Sequence, residues 1–150
     1  MLSQKAKYAL RALFVLAEEG TSGALTVGEI SERQKLPPKF LERILLDLKN
    51  RGILRSRRGK GGGYALLKPP SEIFFGEVVR IMDGPMAPLP CLSRTAYRRC
   101  DDCPDEGACP MRRVFSVMHK ATLDVLDGTS LADALAGRAP ELVVTMHEAA

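Results

Sequence analysis

The chain has 150 residues, of which 45% are hydrophobic and 27% charged, and a formal net charge of +4. That length holds one domain, or a small domain with an appendage, and the composition is that of an ordinary globular protein rather than a disordered or fibrous one. No apolar run approaches ~18 residues, which leaves no membrane-spanning helix and no membrane partner. Lys5, Lys7, Arg11, Glu18 and Glu19 suit an amphipathic first helix better than a cleavable leader, so a cytoplasmic protein is expected.

The net charge hides an asymmetry. Residues 1–68 hold 14 Lys and Arg against 6 Asp and Glu, whereas residues 69–150 hold 8 against 12. A basic half beside an acidic half points to a polyanion-binding module joined to a part with another task.

The first helix is expected over Ser3 to Glu19, with Ala6, Leu10, Leu13, Phe14 and Ala17 on one face and Gly20 as its stop. Thr26 and Glu29 have the spacing of a capping box and open a short second helix through Arg33. Pro37 and Pro38 break the chain and launch a third helix to Asn50, with Leu41, Ile44, Leu45 and Leu48 as its apolar stripe and Gly52 just beyond. Two helices with a tight break, the second with a cationic face, describe a helix-turn-helix. Lys39, Phe40, Glu42 and Arg43 lie at the end of the third helix that reaches base edges in the major groove; Arg43 suits guanine and Glu42 suits cytosine.

Residues 53–57 then read as a strand and residues 64–67 as its partner, with Arg58-Gly59-Lys60-Gly61-Gly62-Gly63 between them. Glycines let a hairpin tip adopt positive φ and approach another surface closely. Arg55, Arg57, Arg58, Lys60 and Lys68 suit a phosphate-facing surface. A basic glycine-rich hairpin after a helix-turn-helix is a wing, with Arg58, Gly59, Lys60 and Gly61 at its tip, toward the minor groove or its phosphates. A phosphate loop of the Walker type is excluded, because there the glycines precede a helix.

Ser71 is expected to cap a helix with Phe74, Phe75, Val78, Val79 and Met82 on one face, ended by Asp83-Gly84-Pro85. Residues 84–110 follow as a loop without helical or strand period, an uncommon length unless functional. Met111 to Leu126 restores the helical period with Val114, Phe115, Met118, Thr122 and Val125. Packed against its own copy, this helix makes a dimer seam; the plainer alternative is that it covers its own core.

Cys91, Cys100, Cys103 and Cys109 all fall in the 84–110 loop, spaced C-x8-C-x2-C-x5-C. In a reducing compartment such a set indicates metal or redox chemistry. Zinc, an iron–sulfur cluster and a metal-free thiol switch all remain open on spacing. An enzyme with a cysteine nucleophile has little support. His119 and His147 lie outside the loop, Cys100-x-x-Cys103 lacks a βαβ setting, and His119 reads as a surface or interface residue.

Several stretches carry a family resemblance. Residues 2–11 (LSQKAKYALR), Phe40 to Leu45 with Leu48 to Leu54, the wing SRRGKGGGYAL over 56–66, Phe75 to Val79, and Leu126 to Asp133 together resemble the Rrf-two (Rrf2) family of bacterial regulators over about residues 1–136. The resemblance implies a homodimer on a near-palindromic double-stranded operator, with Ser3, Lys5 and Lys7 on the DNA backbone. It also implies a [2Fe–2S] or [4Fe–4S] cluster held by three cysteines and a fourth, different ligand, for which Cys91, Cys103 and Cys109 fit best. Arg112 stands where some relatives carry a histidine ligand. Lys7 and Tyr8 stand where others offer a carboxylate, and Cys100 is additional.

The expected fold is therefore mainly α with a small β-hairpin. A winged helix-turn-helix domain (1–68) precedes a linker helix, cysteine loop and dimerisation helix (69–136) and a tail (137–150). The expected function is that of a DNA-binding regulator, a repressor, sensing iron, redox state or nitric oxide through the cluster, and not an enzyme. A winged-helix protein with a structural four-cysteine zinc site or a thiol switch is the alternative.

Overall fold

The computed structural model describes residues 2–138 and residue 140, so the expected tail beyond Arg138, with His147, otherwise lies outside the described residues. The first helix, α1 (Gln4–Glu18), is the hub of the fold. Ser3 caps it by accepting from the Ala6 N–H at 3.0 Å. Its Ala6, Ala9, Leu13 and Leu16 are wholly buried, and α2 (Val27–Gln34), α3 (Pro38–Asn50), α4 (Phe75–Asp83) and α6 (Leu131–Leu135) all pack on it. Truncating one of these leucines to Ala costs on the order of 2–5 kcal/mol, because a close-packed core relaxes only partly around a cavity.

The capping box that opens α2 is reciprocal. Glu29 N–H donates to the Thr26 hydroxyl at 3.2 Å, and Thr26 N–H donates to Glu29 Oε2 at 2.7 Å. The helix stops at Lys35, which takes up the left-handed conformation (φ 51°) without being glycine. Leu36 then turns inward, its N–H on the Ser31 carbonyl at 3.0 Å and its carbonyl accepting from the Ser31 hydroxyl at 2.5 Å. Proline in the first turn starts α3, and the predicted stripe Leu41, Ile44, Leu45 and Leu48 is buried.

Strands β1 (Leu54–Arg57) and β2 (Gly63–Leu66) pair antiparallel, Leu54 opposite Leu66 and Arg57 opposite Gly63. A further rung joins the wing to the segment before α2. Leu25 N–H donates to the Tyr64 carbonyl at 2.9 Å, and Tyr64 N–H to the Leu25 carbonyl at 2.7 Å. Gly63 makes that approach possible. At φ 133° it lies so close to Leu25 that a Cβ would overlap the Leu25 carbonyl and sit 2.7 Å from Thr26 N.

Two expectations need correction here. Ser71 does not cap a helix: residues 70–72 form a single 3-10 turn, and α4 begins at Phe75 without a side-chain cap. Residues 73–75 are instead drawn into extended pairing with residues 129–131, with Leu131 N–H on the Ile73 carbonyl at 2.9 Å and Phe75 N–H on the Thr129 carbonyl at 3.1 Å. The 84–110 loop also contains a 3-10 turn, Pro90–Leu92.

The long helix α5 (Pro110–Gly128) starts on a proline and, at 19 residues, extends about 28 Å. It packs on α4 and on the Pro90–Leu92 turn. Only His119 and Leu123 of its residues are buried. Its sequence-predicted stripe faces solvent instead, with Val114 68% and Met118 47% exposed, so the stripe does not cover the core of its own chain. After α5, the short α6 opens with a second capping box, Ser130 with Asp133. Among the described residues, no helix is long and apolar enough to cross a membrane. The fold is thus mainly α with one hairpin, in the winged helix-turn-helix arrangement with a long helix behind it.

Candidate nucleic-acid interface and cysteine cavity

The N-terminal turns of α1 and α3 come together. Tyr8 and Phe40 meet edge to face with ring centroids 5.8 Å apart, and the Tyr8 hydroxyl accepts from Gln4 Nε2 at 3.1 Å. Lys7, Lys39, Phe40, Glu42 and Arg43 are all exposed around this contact. Edge-to-face geometry accounts for a 40% exposed phenylalanine that is nonetheless fixed in place. Among the described residues, Lys7, Lys39 and Arg43 have no ion-pair partner.

The other N-terminal candidates are already engaged. Lys5 pairs with Asp47 of α3 at 2.8 Å. Ser3 donates its N–H to Asp83, at the end of α4, at 3.2 Å and its hydroxyl to the same carboxylate. In the wing, Arg57, Arg58, Gly59, Lys60 and Gly61 are exposed. Two of the five wing cations are not free for phosphate. Arg55 donates to the Thr21 carbonyl at 2.6 Å and so ties the hairpin to the first part of the α1–α2 connection. Lys68 pairs with Glu77 of α4 at 3.0 Å. Sequence reading also missed Arg11, whose guanidinium binds the side chain of Gln34 at 3.1 Å and the Gln34 carbonyl, anchoring the C-terminus of α2 to α1.

All four cysteines line one cavity of about 280 Å³ with Pro104, Pro110 and Met111 among its apolar walls. Cys91 is buried and the other three are half-buried, and all four are free thiols. Cys109 sits just before α5, where its Sγ accepts from Arg112 N–H at 3.4 Å. Desolvation, and then the neighbouring Cys91, push the Cys100 thiol above its ordinary value, which favours its neutral form. Arg112 lines the same cavity, and its Nε is buried without a hydrogen-bond partner. An unsatisfied buried cationic donor is costly unless an acceptor faces it. The chemistry is therefore that of a thiol-lined hollow with one guanidinium-bearing residue in its wall. Among the described residues, no three Cys, His, Asp or Glu side chains converge on a single metal-ion position.

A second corrected residue is His119. Expected at a surface or interface, it is buried on the α4-facing side of α5 (8% exposed), and its Nδ1 is without a partner.

An exposed, cationic third helix beside a basic glycine-rich hairpin, with a cysteine cavity behind them, defines a winged helix-turn-helix protein with a thiol-lined accessory site. Residues 2–137 match Rrf2, described as an iron-dependent transcriptional regulator. The chain is 50% identical to an rrf2-like HTH-type transcriptional regulator of Rhodobacter capsulatus, over 93% of this chain and 95% of that one. Its structure is similar to that of CymR (YrzC), the global cysteine regulator of B. subtilis, with a TM-score of 0.76 and 27% identity over 91% of this chain and 97% of that one. It is also similar to T. potens IscR, with a TM-score of 0.71 and 28% identity over 91% and 87% of the two chains. The chain belongs to the Rrf2 family and is a DNA-binding transcriptional regulator, not an enzyme.

Proposed function

We propose that this regulator is a homodimeric, cytoplasmic repressor whose hold on a near-palindromic operator answers to iron, redox state or nitric oxide through an iron–sulfur cluster in the cysteine loop. The observation that carries this reading is that all four thiols and Arg112 line one cavity. When bound, such a cluster supplies a redox- and nitric-oxide-reactive anionic centre. Cys91, Cys103 and Cys109 hold it, with Cys100 as the fourth thiol within reach, and Arg112 offsets part of its negative charge.

Residues 1–68 serve as the reading head. Lys39, Phe40, Glu42 and Arg43 enter the major groove, and Arg58, Gly59, Lys60 and Gly61 meet the minor groove or its phosphates. Ser3, Lys5 and Lys7 contact the backbone, Ser3 and Lys5 exchanging Asp83 and Asp47 for phosphate. Residues 69–136 sense and dimerise. The exposed apolar face of α5 (Met111, Val114, Met118) is covered by its copy, which spaces the two heads by about one helical turn, ~34–36 Å.

The placement of four free thiols around one cavity also suits a second reading, a metal-free thiol switch. The deciding experiment is an absorption spectrum of anaerobically purified protein, with iron, sulfide and zinc assayed on the same sample. Visible absorption with matching iron and sulfide supports the cluster, and operator binding by loaded and stripped protein then tests the sensing. Stoichiometric zinc without colour makes the loop structural, and no metal at all leaves the thiol switch.

A further inference from the structure

The aromatic side chains of residues 1–68 are Tyr8, Phe14, Phe40 and Tyr64. Tyr8, Phe14 and Tyr64 are half-buried against the core, whereas Phe40 is 40% exposed on the first turn of α3. A phenyl ring turned to water gains when another apolar surface covers it. This ring is nonetheless fixed. Tyr8 meets it edge to face, with centroids 5.8 Å apart and an interplanar angle of 80°. Tyr8 is itself held on α1, its hydroxyl accepting from Gln4 Nε2 at 3.1 Å and its ring packed on the core. A ring ordered in advance gives up little rotamer freedom on binding.

The neighbours of Phe40 restrict what can cover it. Lys7, Lys39, Glu42 and Arg43 are exposed around it. An apolar protein partner would bury those charges at a cost, whereas the phosphates of a duplex welcome the three cations. On the base edges of the major groove, hydrogen-bonding groups predominate and the 5-methyl of thymine is the apolar feature. Glu42 and Arg43 can answer the hydrogen-bonding groups. Phe40 has no donor or acceptor in its side chain, and its complement there is the methyl. Pro37 and Pro38, also exposed, extend the apolar surface at the tip of the helix.

We infer that Phe40 is a specificity-determining residue that selects thymine by covering its 5-methyl group, with Tyr8 as the positioning residue that holds the ring. This rests on the entry of α3 into the major groove proposed above, and adds which feature of the base the ring selects.

The test starts from the duplex that the full-length protein enriches from a random-sequence library. Each thymine in it is replaced in turn by uracil, which removes the methyl and leaves the base pairing unchanged, and affinity is read by fluorescence anisotropy. At one thymine position in a half-site, the wild type is expected to lose about fourfold in affinity, the value of one buried methyl. Phe40→Ala is expected to bind the thymine and uracil forms of that position equally, and to keep the wild-type response at every other position. Tyr8→Phe, which retains the edge-to-face pair, is expected to keep the discrimination, and Tyr8→Ala to reduce it. An enriched duplex without a fixed thymine, thymines that are all insensitive to methyl removal, or a sensitivity that Phe40→Ala leaves intact each overturns the inference while the reading head stands. Failure to enrich any sequence overturns the reading head itself, and this inference with it.

Discussion

Gly76 of α4 and Asp127 of α5 meet so closely that a Cβ on Gly76 would overlap the Asp127 carboxylate. The same Oδ1 accepts from Arg80 at 2.8 Å. Gly76→Ala therefore pushes Asp127 off Arg80, a part-exposed pair, and is expected to cost up to about 1 kcal/mol in urea unfolding. With Asp127→Ala in place the obstacle is gone, and Gly76→Ala becomes neutral or stabilising, as alanine is the better helix former by about 0.5–1 kcal/mol. An equal cost in both backgrounds would show that the Gly76–Asp127 contact is not the cause.

Gly63 and Gly59 both have positive φ, yet their replacement differs. Gly59→Ala, with nothing within 4 Å of the new methyl, bears only the left-handed backbone, about 1–2 kcal/mol. Gly63→Ala adds a collision with the Leu25 backbone and is expected to cost about 3 kcal/mol or more. Denaturation midpoints of the two variants give the comparison, and similar values would refute the crowding at the base of the wing.

The wing cations divide by what they touch. Arg58→Ala and Lys60→Ala are each expected to lower the slope of log affinity against log salt by about 1 on operator DNA. Arg55→Ala, whose guanidinium is held on the Thr21 carbonyl, is expected to keep the slope and lower the melting temperature. Unchanged slopes for both Arg58→Ala and Lys60→Ala would remove the tip from the DNA interface.

Met118 lies on the exposed face of α5. Met118→Lys costs the folded chain little, because no core contact is lost, but places a charge where the dimer seam is proposed. Light scattering during size exclusion is expected to show a shift from dimer to monomer. A persistent dimer would place the seam elsewhere.

Asp133 gives the stability of the C-terminal region a pH dependence. Its hydrogen bonds from Ser130, and then from Arg138, lower its pKa from 3.8 to about 2. A depressed folded pKa means stabilisation that is complete above the unfolded value and lost as pH falls from about 4 to about 2. Asp133→Asn is expected to be less stable than the wild type at neutral pH, with the gap closing through that window. A gap independent of pH would assign the effect to packing instead.

Much of the reading head was legible because its signals are local. The Thr26–Glu29 box, the two prolines before α3 and the stripe Leu41, Ile44, Leu45 and Leu48 each act within a few residues, and the helices start and stop within a residue or so of where those signals stand. The Ser130–Asp133 box was equally local and opens α6, a helix the five-residue span left too short to show a period. What the chain did not disclose are pairings across distance. Ser3 meets Asp83 eighty positions away, Arg55 turns back to Thr21, Lys68 takes Glu77, and Ser71 is pre-empted by a strand-like pairing of its neighbours with residues 129–131. Charge counts alone assigned Arg55 and Lys68 to phosphate; geometry has spent them within the protein. His119 looked like a surface or interface residue because it lies off the helical stripe of Val114, Phe115, Met118, Thr122 and Val125. Its burial depends on which side of α5 the 85–95 segment crosses.

The rung between Leu25 and Tyr64, with Arg55 on Thr21, has a mechanical consequence. It staples the wing at its root to the helices it flanks, so hairpin and recognition helix form one tool rather than two fingers. A signal arriving from behind has little purchase on the fit of either to its groove. In the proposed homodimer, what it can alter is the stance of one tool relative to the other, and a two-half-site operator would then work as a ruler whose spacing decides which stance is accepted.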